Sequence, residues 1–129
     1  HQDHLHPASA YNDLEEKDKE KYGWQVYNSI LNLQMLDANE NESKNAKPLD
    51  KWVSEQTRNK DMQKFMEDHL IPDTDLSLSN FSDFVEKRKT ILVQRIKKMI
   101  NWFISKVFAD IILPAENAPV VKYFKDMNL

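Results

Sequence analysis

The sequence predicts an α+β fold that is mainly helical. Short segments with alternating apolar residues, which are typical of strands, occur near the start of the chain, whereas the longer apolar patterns that follow have helical spacing. The 129 residues include a single glycine, Gly23, where average usage of about 7% would give roughly nine. This scarcity excludes P-loop and Rossmann folds, which depend on glycine-rich phosphate loops, and disfavours folds with many tight β-turns.

Composition limits the chain to one modest domain without a thiol site. It has a mass of 15.3 kDa, 40% hydrophobic residues and 30% charged residues. A net charge of −3 gives no overall attraction to polyanions, so any contact with nucleic acid must be local. The absence of cysteine excludes disulfides, a thiol nucleophile and a thiolate zinc site. No signal segment follows His1, so we expect a cytoplasmic fragment of a longer protein, without membrane contact.

The first elements are predicted to be two short strands around a charged insert. Residues 1–9 indicate the end of a strand that enters a loop at Pro7. Residues 11–22 predict a solvated helix that ends at Gly23, or alternatively a mobile linker. Residues 30–36 predict a half-buried strand whose apolar side faces inward. Its apolar positions include Leu31, Leu33 and Met35, and its polar positions are Asn32 and Gln34.

Helices are predicted after the second strand. Asp37 is placed to cap a helix over residues 38–47, and Pro48 fits the first turn of the next helix. Residues 58–70 predict a third helix, with apolar positions at Met62, Phe65, Met66 and Leu70. Asn80 and Asp83 have the spacing of a capping box, which would open a long helix that reaches about Phe108.

The long helix carries an apolar stripe at helical spacing. Its members are Phe81, Phe84, Val85, Leu92, Ile96, Met99, Phe103 and Val107. The apolar stretch Met99–Leu113 is interrupted by polar residues and is too short to span a bilayer, so we expect it to lie in the core. Residues 120–124 predict a short strand or a docking segment.

The densest chemistry lies at His1, Asp3, His4 and His6. A carboxylate that binds a hard divalent cation, beside an imidazole that takes a proton near neutral pH, is the minimal set for activating water against a phosphodiester. In a strand Asp3 and His4 point to opposite sides, unless the strand ends there and the backbone turns, as Pro7 allows. The same cluster also fits a surface zinc site or a fortuitous run of histidines.

Two motifs give this cluster a family resemblance. The pattern D-H-x-x-P-x-S at residues 3–9, followed by N-L-Q-M-L-D-A-N-E-N-E-S-K at Asn32–Lys44, resembles the HNH endonucleases of the ββα-metal (His-Me finger) superfamily. With H-L-I-P and L-S-x-x-N-F-x-x-F-x-x-K-R-K-x-x-L in residues 69–92, the chain is similar to the C-terminal nuclease domain of GmrSD-type modification-dependent (type IV) restriction proteins.

The resemblance implies a role for each matching residue. His4 would be the general base, and Asp3 a ligand of one divalent metal. Asn32 would brace the loop that bears His4, with a solvent-facing strand position as the alternative. Asn41, which replaces the last His of the HNH pattern, would bind the metal through its amide oxygen, although Asn39 is close enough to do so instead. Such an oxygen set suits Mg²⁺ or Mn²⁺ better than Zn²⁺.

Further residues are candidates for contact with DNA. Lys44 could touch a phosphate or be a solvated helix residue, and His6 could contact DNA or line the loop. On the long helix, Lys87, Lys97 and Lys98 are expected to face phosphates. Other residues have open roles. Arg88 and Arg95 could anchor the helix edge or bind DNA, His1 could bind a second metal or pack, and His69 is expected to be structural.

The resemblance also implies the architecture and the partners. Residues 1–50 would form an HNH-like ββα-metal motif, and residues 51–129 a helical extension packed on it as one structural domain. The expected function is that of a metal-dependent DNA endonuclease in a restriction or phage-defence protein. Its partners would be DNA, with modified bases as one possibility, and an N-terminal sensor domain of the same longer protein. The alternative is a non-catalytic DNA-binding or protein-interaction module.

Overall fold

The computed structural model describes residues 1–108 and is mainly helical with one small antiparallel sheet, which confirms the α+β class. The strands are β1 (Gln2–His4) and β2 (Leu33–Met35). The α-helices are α1 (Glu16–Tyr27), α2 (Ala38–Lys44), α3 (Leu49–Gln56), α4 (Met62–Asp68) and α5 (Phe81–Val107), with 3₁₀ turns at Ala8–Asp13 and Leu78–Asn80. The expected strand or docking segment at residues 120–124 lies outside the described residues.

The two strands pair with Asp3 opposite Gln34, so the start of the chain lies against residues about thirty positions later. The predicted facing of β2 is wrong. Asn32 and Gln34 are buried, whereas Met35 is 76% exposed. Asn32 faces inward because its amide makes buried backbone hydrogen bonds, which offset its desolvation.

The charged insert folds into a 3₁₀ turn and α1, and regular helical backbone is interrupted at Gly23, where the sequence predicts the helix to end; a second helical segment, which was not predicted, follows it. Gly23 has φ +60, which glycine adopts without a Cβ penalty, and it kinks the helix at that point. The chain then continues to Tyr27, whose ring is fully buried and whose hydroxyl donates to the carbonyl of Pro7 at 2.9 Å. The kink therefore brings α1 back toward the loop after β1.

The predicted cap of α2 is present and that of α5 is not. Asp37 accepts from the backbone N–H of Glu40 at 2.8 Å, and the Glu40 carboxylate accepts from the Asp37 N–H, which completes a capping box. The helix α5 does begin at Phe81. The Asn80 amide, however, donates to Thr74 and to the carbonyl of Asp75, so it braces the preceding loop instead of capping the helix.

The described chain falls into two compact units, residues 1–89 and the part of α5 from residue 90 onward. In the first unit, residues on both sides of position 50 share one hydrophobic core. Its aromatic members are Tyr27, Trp52, Phe65, Phe81 and Phe84. The strands and α2 therefore rest on side chains from α3, α4 and the start of α5.

The apolar stripe of α5 is buried only at its start. Phe81, Phe84 and Val85 belong to the core, whereas Ile96, Met99 and Phe103 are exposed and Leu92 and Val107 are partly buried. The expectation that the stretch from Met99 is core is therefore wrong for Met99, Ile100 and Phe103, and residues 109–113 of that stretch lie outside the described residues. Within residues 1–108, no helix combines the length and the apolar character that crossing a membrane requires.

Candidate active site

An open pocket of about 540 Å³ lies in the first unit, between the end of β1, the loop after it and α2. Asp3, His4 and Asn41 all line this pocket, together with Glu42 and Asn45. Asn39, the alternative to Asn41, is exposed and does not line it. The fold thus brings together a carboxylate, an imidazole and an amide from segments almost forty residues apart.

The imidazole of His4 is oriented by Asn28, a residue that sequence reasoning missed. His4 Nε2 lies 2.9 Å from Asn28 Oδ1. Because an amide oxygen only accepts, Nε2 must carry the proton, and the lone pair of the neutral ring is then on Nδ1. The ring also stacks against Trp24 and Tyr27, with centroids 6.3 Å away in each case. The only local feature that could have pointed to Asn28 as a site residue is its position at the end of α1.

Asn32 fastens the loop that follows β1. Its side chain is fully buried, and its Oδ1 accepts from the backbone N–H of His6 at 2.8 Å. Its Nδ2 donates to the carbonyls of His6 and Tyr27 at 3.0 and 3.1 Å. The alternative of a solvent-facing Asn32 is therefore wrong. The Asn32 amide therefore ties His6, which is two positions after His4, to Tyr27 at the end of α1.

Lys44 supports the site from inside the protein, which corrects the expectation of a phosphate contact. Its side chain has no exposed area, and its ammonium lies 2.9 Å from Asp3 Oδ2 and donates to the backbone carbonyl of His4. Burial lowers the pKa of Lys44, and the hydrogen bond and charge of Asp3 oppose that shift. Lys44 therefore fixes the two neighbouring site residues.

His6 is also buried, so the expected DNA contact is wrong for this residue. Its ring packs edge-on against Phe84 and Phe81, with centroids 4.6 and 5.5 Å away. Burial, with a smaller contribution from the Lys44 charge, lowers the pKa of His6 to about 3. His6 is therefore neutral near pH 7 and lines the base of the loop.

The pocket offers oxygen donors suited to a hard divalent cation. Asp3 Oδ2 is buried against Lys44, so a ligand in the pocket can reach Asp3 only through Oδ1. Asn41, whose side chain ends in an amide, lines the same pocket. No group of three His, Cys, Asp or Glu side chains that could hold a metal occurs in residues 1–108. The residues fit a cation held by one carboxylate, one amide and water, as Mg²⁺ often is.

The basic residues of α5 have different surroundings. The buried Arg88 guanidinium donates to the carbonyl of Leu33 at 2.8 Å and to that of His69 at 3.2 Å, so Arg88 anchors the helix. Arg95, the other candidate for this anchoring role, is exposed. Lys87 forms an ion pair with Asp83 at 3.0 Å. Lys97 and Lys98 are exposed in the second unit.

The remaining histidines lie outside the pocket. His69 packs between Phe65 and Trp52, with ring centroids 4.3 and 5.3 Å away, which is a structural position. The side chain of His1 is exposed and does not line the pocket. The pocket therefore contains one imidazole, that of His4, among its lining residues.

Comparison of the chain with known proteins finds no matching family model, no matching curated protein and no matching solved structure. We therefore base the function proposed below on the geometry of the pocket and on the sequence motifs that led to it.

Proposed function

We propose that this chain is a metal-dependent DNA endonuclease domain of a restriction or phage-defence protein. The observation that carries the proposal is that His4, oriented by Asn28, shares one open pocket with the oxygen donors Asp3 and Asn41. A base and a hard-cation site in one pocket are the two requirements for hydrolysis of a phosphodiester by activated water.

His4 acts as the general base in this proposal. With Nε2–H directed at Asn28, the lone pair of Nδ1 takes a proton from water as that water attacks phosphorus. The bond from phosphorus to the 3′-oxygen breaks, and the product strand carries a 5′-phosphate. Stacking on Trp24 and Tyr27 restricts the ring to the orientation that this transfer needs.

Asp3 and Asn41 hold the cation in this proposal. A bound Mg²⁺ or Mn²⁺ would supply positive charge next to the phosphorane and the leaving oxygen. Lys44 lies 2.9 Å from Asp3 Oδ2 and fixes that oxygen, which leaves the other for the pocket. Asn32 holds the loop so that Asp3 and His4 keep their places at the end of β1.

DNA would approach from the open side of this pocket. His6 and Lys44 are buried and are not proposed to touch DNA. Lys97 and Lys98 are exposed, and they are the proposed phosphate contacts of the second unit. Lys87 is a weaker candidate because Asp83 already neutralises it. The proposal includes two partners. They are DNA, with modified bases as one possibility, and an N-terminal sensor domain of the same longer protein.

Plasmid nicking tests the proposal. The chain should nick supercoiled plasmid in Mg²⁺ or Mn²⁺, and chelation by EDTA should stop it. Asp3→Ala and Asn41→Ala should each lower the rate at least tenfold, whereas Asn39→Ala, a matched change on the exposed side of α2, should leave it unchanged. The proposal would be contradicted if the chain nicks plasmid in neither Mg²⁺ nor Mn²⁺. It would also be contradicted if all three variants nick at the same rate.

The alternative is a non-catalytic interaction module, and the exposed apolar side chains late in α5 favour it. Such a module would remain folded and bind its partner, but it would not nick DNA under any metal condition. The plasmid assay therefore separates the two functions.

A further inference from the structure

The second unit presents a row of apolar side chains to solvent. Val93, Ile96, Met99, Ile100 and Phe103 remain between 41% (Val93) and 65% (Met99) exposed. We call these five residues the α5 docking face. Large exposed apolar patches are uncommon on monomers and usually mark a binding surface.

The docking face has the spacing of a helix-packing seam. Val93, Ile96, Ile100 and Phe103 follow one another at three, four and three positions, and they fall within about 80° of the circumference at 3.6 residues per turn. The β-branched residues Val93 and Ile100 are seven positions apart. This arrangement suits side chains that insert between those of a facing helix.

The charge around the docking face is of one sign. Residues 90–107 contain Arg95, Lys97, Lys98 and Lys106 and no Asp or Glu. At 3.6 residues per turn, the exposed Lys97 lies about 40° beyond Val93 and the exposed Arg95 about 40° beyond Met99, so they flank the face, whereas Lys98 lies on the far side of the helix. Two copies of this helix would bring like charges together, which disfavours self-pairing. An acidic partner would instead gain complementary charge along the edges of the seam.

We propose that the α5 docking face binds an amphipathic helix of a partner protein whose polar edges are acidic. A lipid surface suits the face less well, because Trp102, at 65% exposure, lies about 130° from its centre at 3.6 residues per turn. Docking on a bilayer through this face would leave that tryptophan in water, although it is the side chain that gains most at a membrane interface. This inference shares Lys97 with the proposed DNA contacts, but its test is peptide binding, whose outcome does not depend on nicking.

Two synthetic peptides of about 21 residues, or three heptads, provide the probe. Both carry the same Ile/Leu seam, and one has Glu and the other Lys at the edge positions. Fluorescence anisotropy with the full chain should show that the Glu peptide binds at least tenfold more tightly. Ile100→Asp should weaken its binding about tenfold or more, since one buried aliphatic contact is lost.

Gln94→Asp is the matched control, because it makes the same charge change on the exposed polar side of the helix and should leave the affinity within about twofold. Ile96→Asp repeats the test if Ile100→Asp lowers the helix content in circular dichroism. Equal affinity for the two peptides would overturn the proposal. So would preferential binding to phosphatidylcholine–phosphatidylglycerol vesicles, or dimerisation in sedimentation that Ile100→Asp abolishes.

Discussion

His4 Nε2 lies 2.9 Å from Asn28 Oδ1, so a residue at the end of α1 sets which nitrogen of a strand imidazole carries the proton. The contact joins segments twenty-four positions apart. It depends on the kink at Gly23, after which α1 continues to Tyr27 beside the histidine. The proposed base is thus oriented by a group outside the sequence motif that predicted it.

Changing Asn28 should affect catalysis more than folding, because its side chain is exposed. Asn28→Ala should lower kcat for plasmid nicking by about 10-fold to 100-fold, since the imidazole loses its orientation. Asn28→Asp keeps an acceptor for the Nε2–H of His4 and should restore part of the rate. An unchanged rate for Asn28→Ala would remove Asn28 from the site.

Asn32→Ala should destabilise the first unit strongly. It leaves the N–H and carbonyl of His6 and the carbonyl of Tyr27 without their side-chain partner in a buried place. We expect a loss of about 2–4 kcal/mol in the free energy of unfolding, measured by urea denaturation. Asn39→Ala, at an exposed position, should change it by less than about 0.5 kcal/mol. A similar small loss for Asn32→Ala would contradict the bracing role.

Lys44→Met should cost more stability than a matched change at a surface ion pair. The variant leaves the Asp3 carboxylate without its buried cation, and we expect a loss of about 2–3 kcal/mol. This is less than for a fully buried pair, because Asp3 keeps some exposure. Lys47→Met breaks the exposed pair with Glu55 and should cost much less, because water screens that pair. Thermal and urea melts of both variants measure the difference, and equal losses would argue against the role of Lys44.

His6 should make the fold sensitive to acid. Its pKa is about 3 in the folded protein and near 6.5 when exposed, so below about pH 6.5 the unfolded chain binds a proton that the folded chain does not. Stability must therefore fall as the pH drops toward 3. His6→Leu should reduce the loss between pH 7 and pH 4.5 by about 2 kcal/mol. The exposed His1→Leu should have no such effect, and an equal loss in His6→Leu and the parent chain would contradict this account.

The parts of the fold that the sequence predicts well are those set by local chemistry. The Asp37 capping box and the start of α5 depend on residues a few positions apart. The facing of β2 was not predictable from apolar alternation, because Asn32 is buried by hydrogen bonds to distant backbone groups. Periodicity also cannot tell a core stripe from an exposed one, and α5 has both, with Phe84 buried and Phe103 exposed.

The candidate site was predictable where a motif covers it. Asp3, His4 and Asn41 do line one pocket, although only the fold shows that they meet. For His6 the sequence leaves a DNA contact and a loop-lining position open, and the structure shows the latter. For Lys44 it leaves a phosphate contact and a solvated position open, and the structure shows neither. The backbone carbonyl of His4 and the Asp3 carboxylate draw Lys44 inward, and this arrangement has no signature in residue spacing.

The most direct test of the central claim is the rate of metal-dependent plasmid nicking by His4→Ala. We predict a fall of about 10²–10⁴-fold with an unchanged melting temperature, and partial recovery when free imidazole is added, because a general base contributes a rate factor of that size. The control is His1→Ala, whose imidazole lies outside the pocket and whose loss should leave the rate unaltered. Nicking by His4→Ala at the rate of the parent chain would contradict the account.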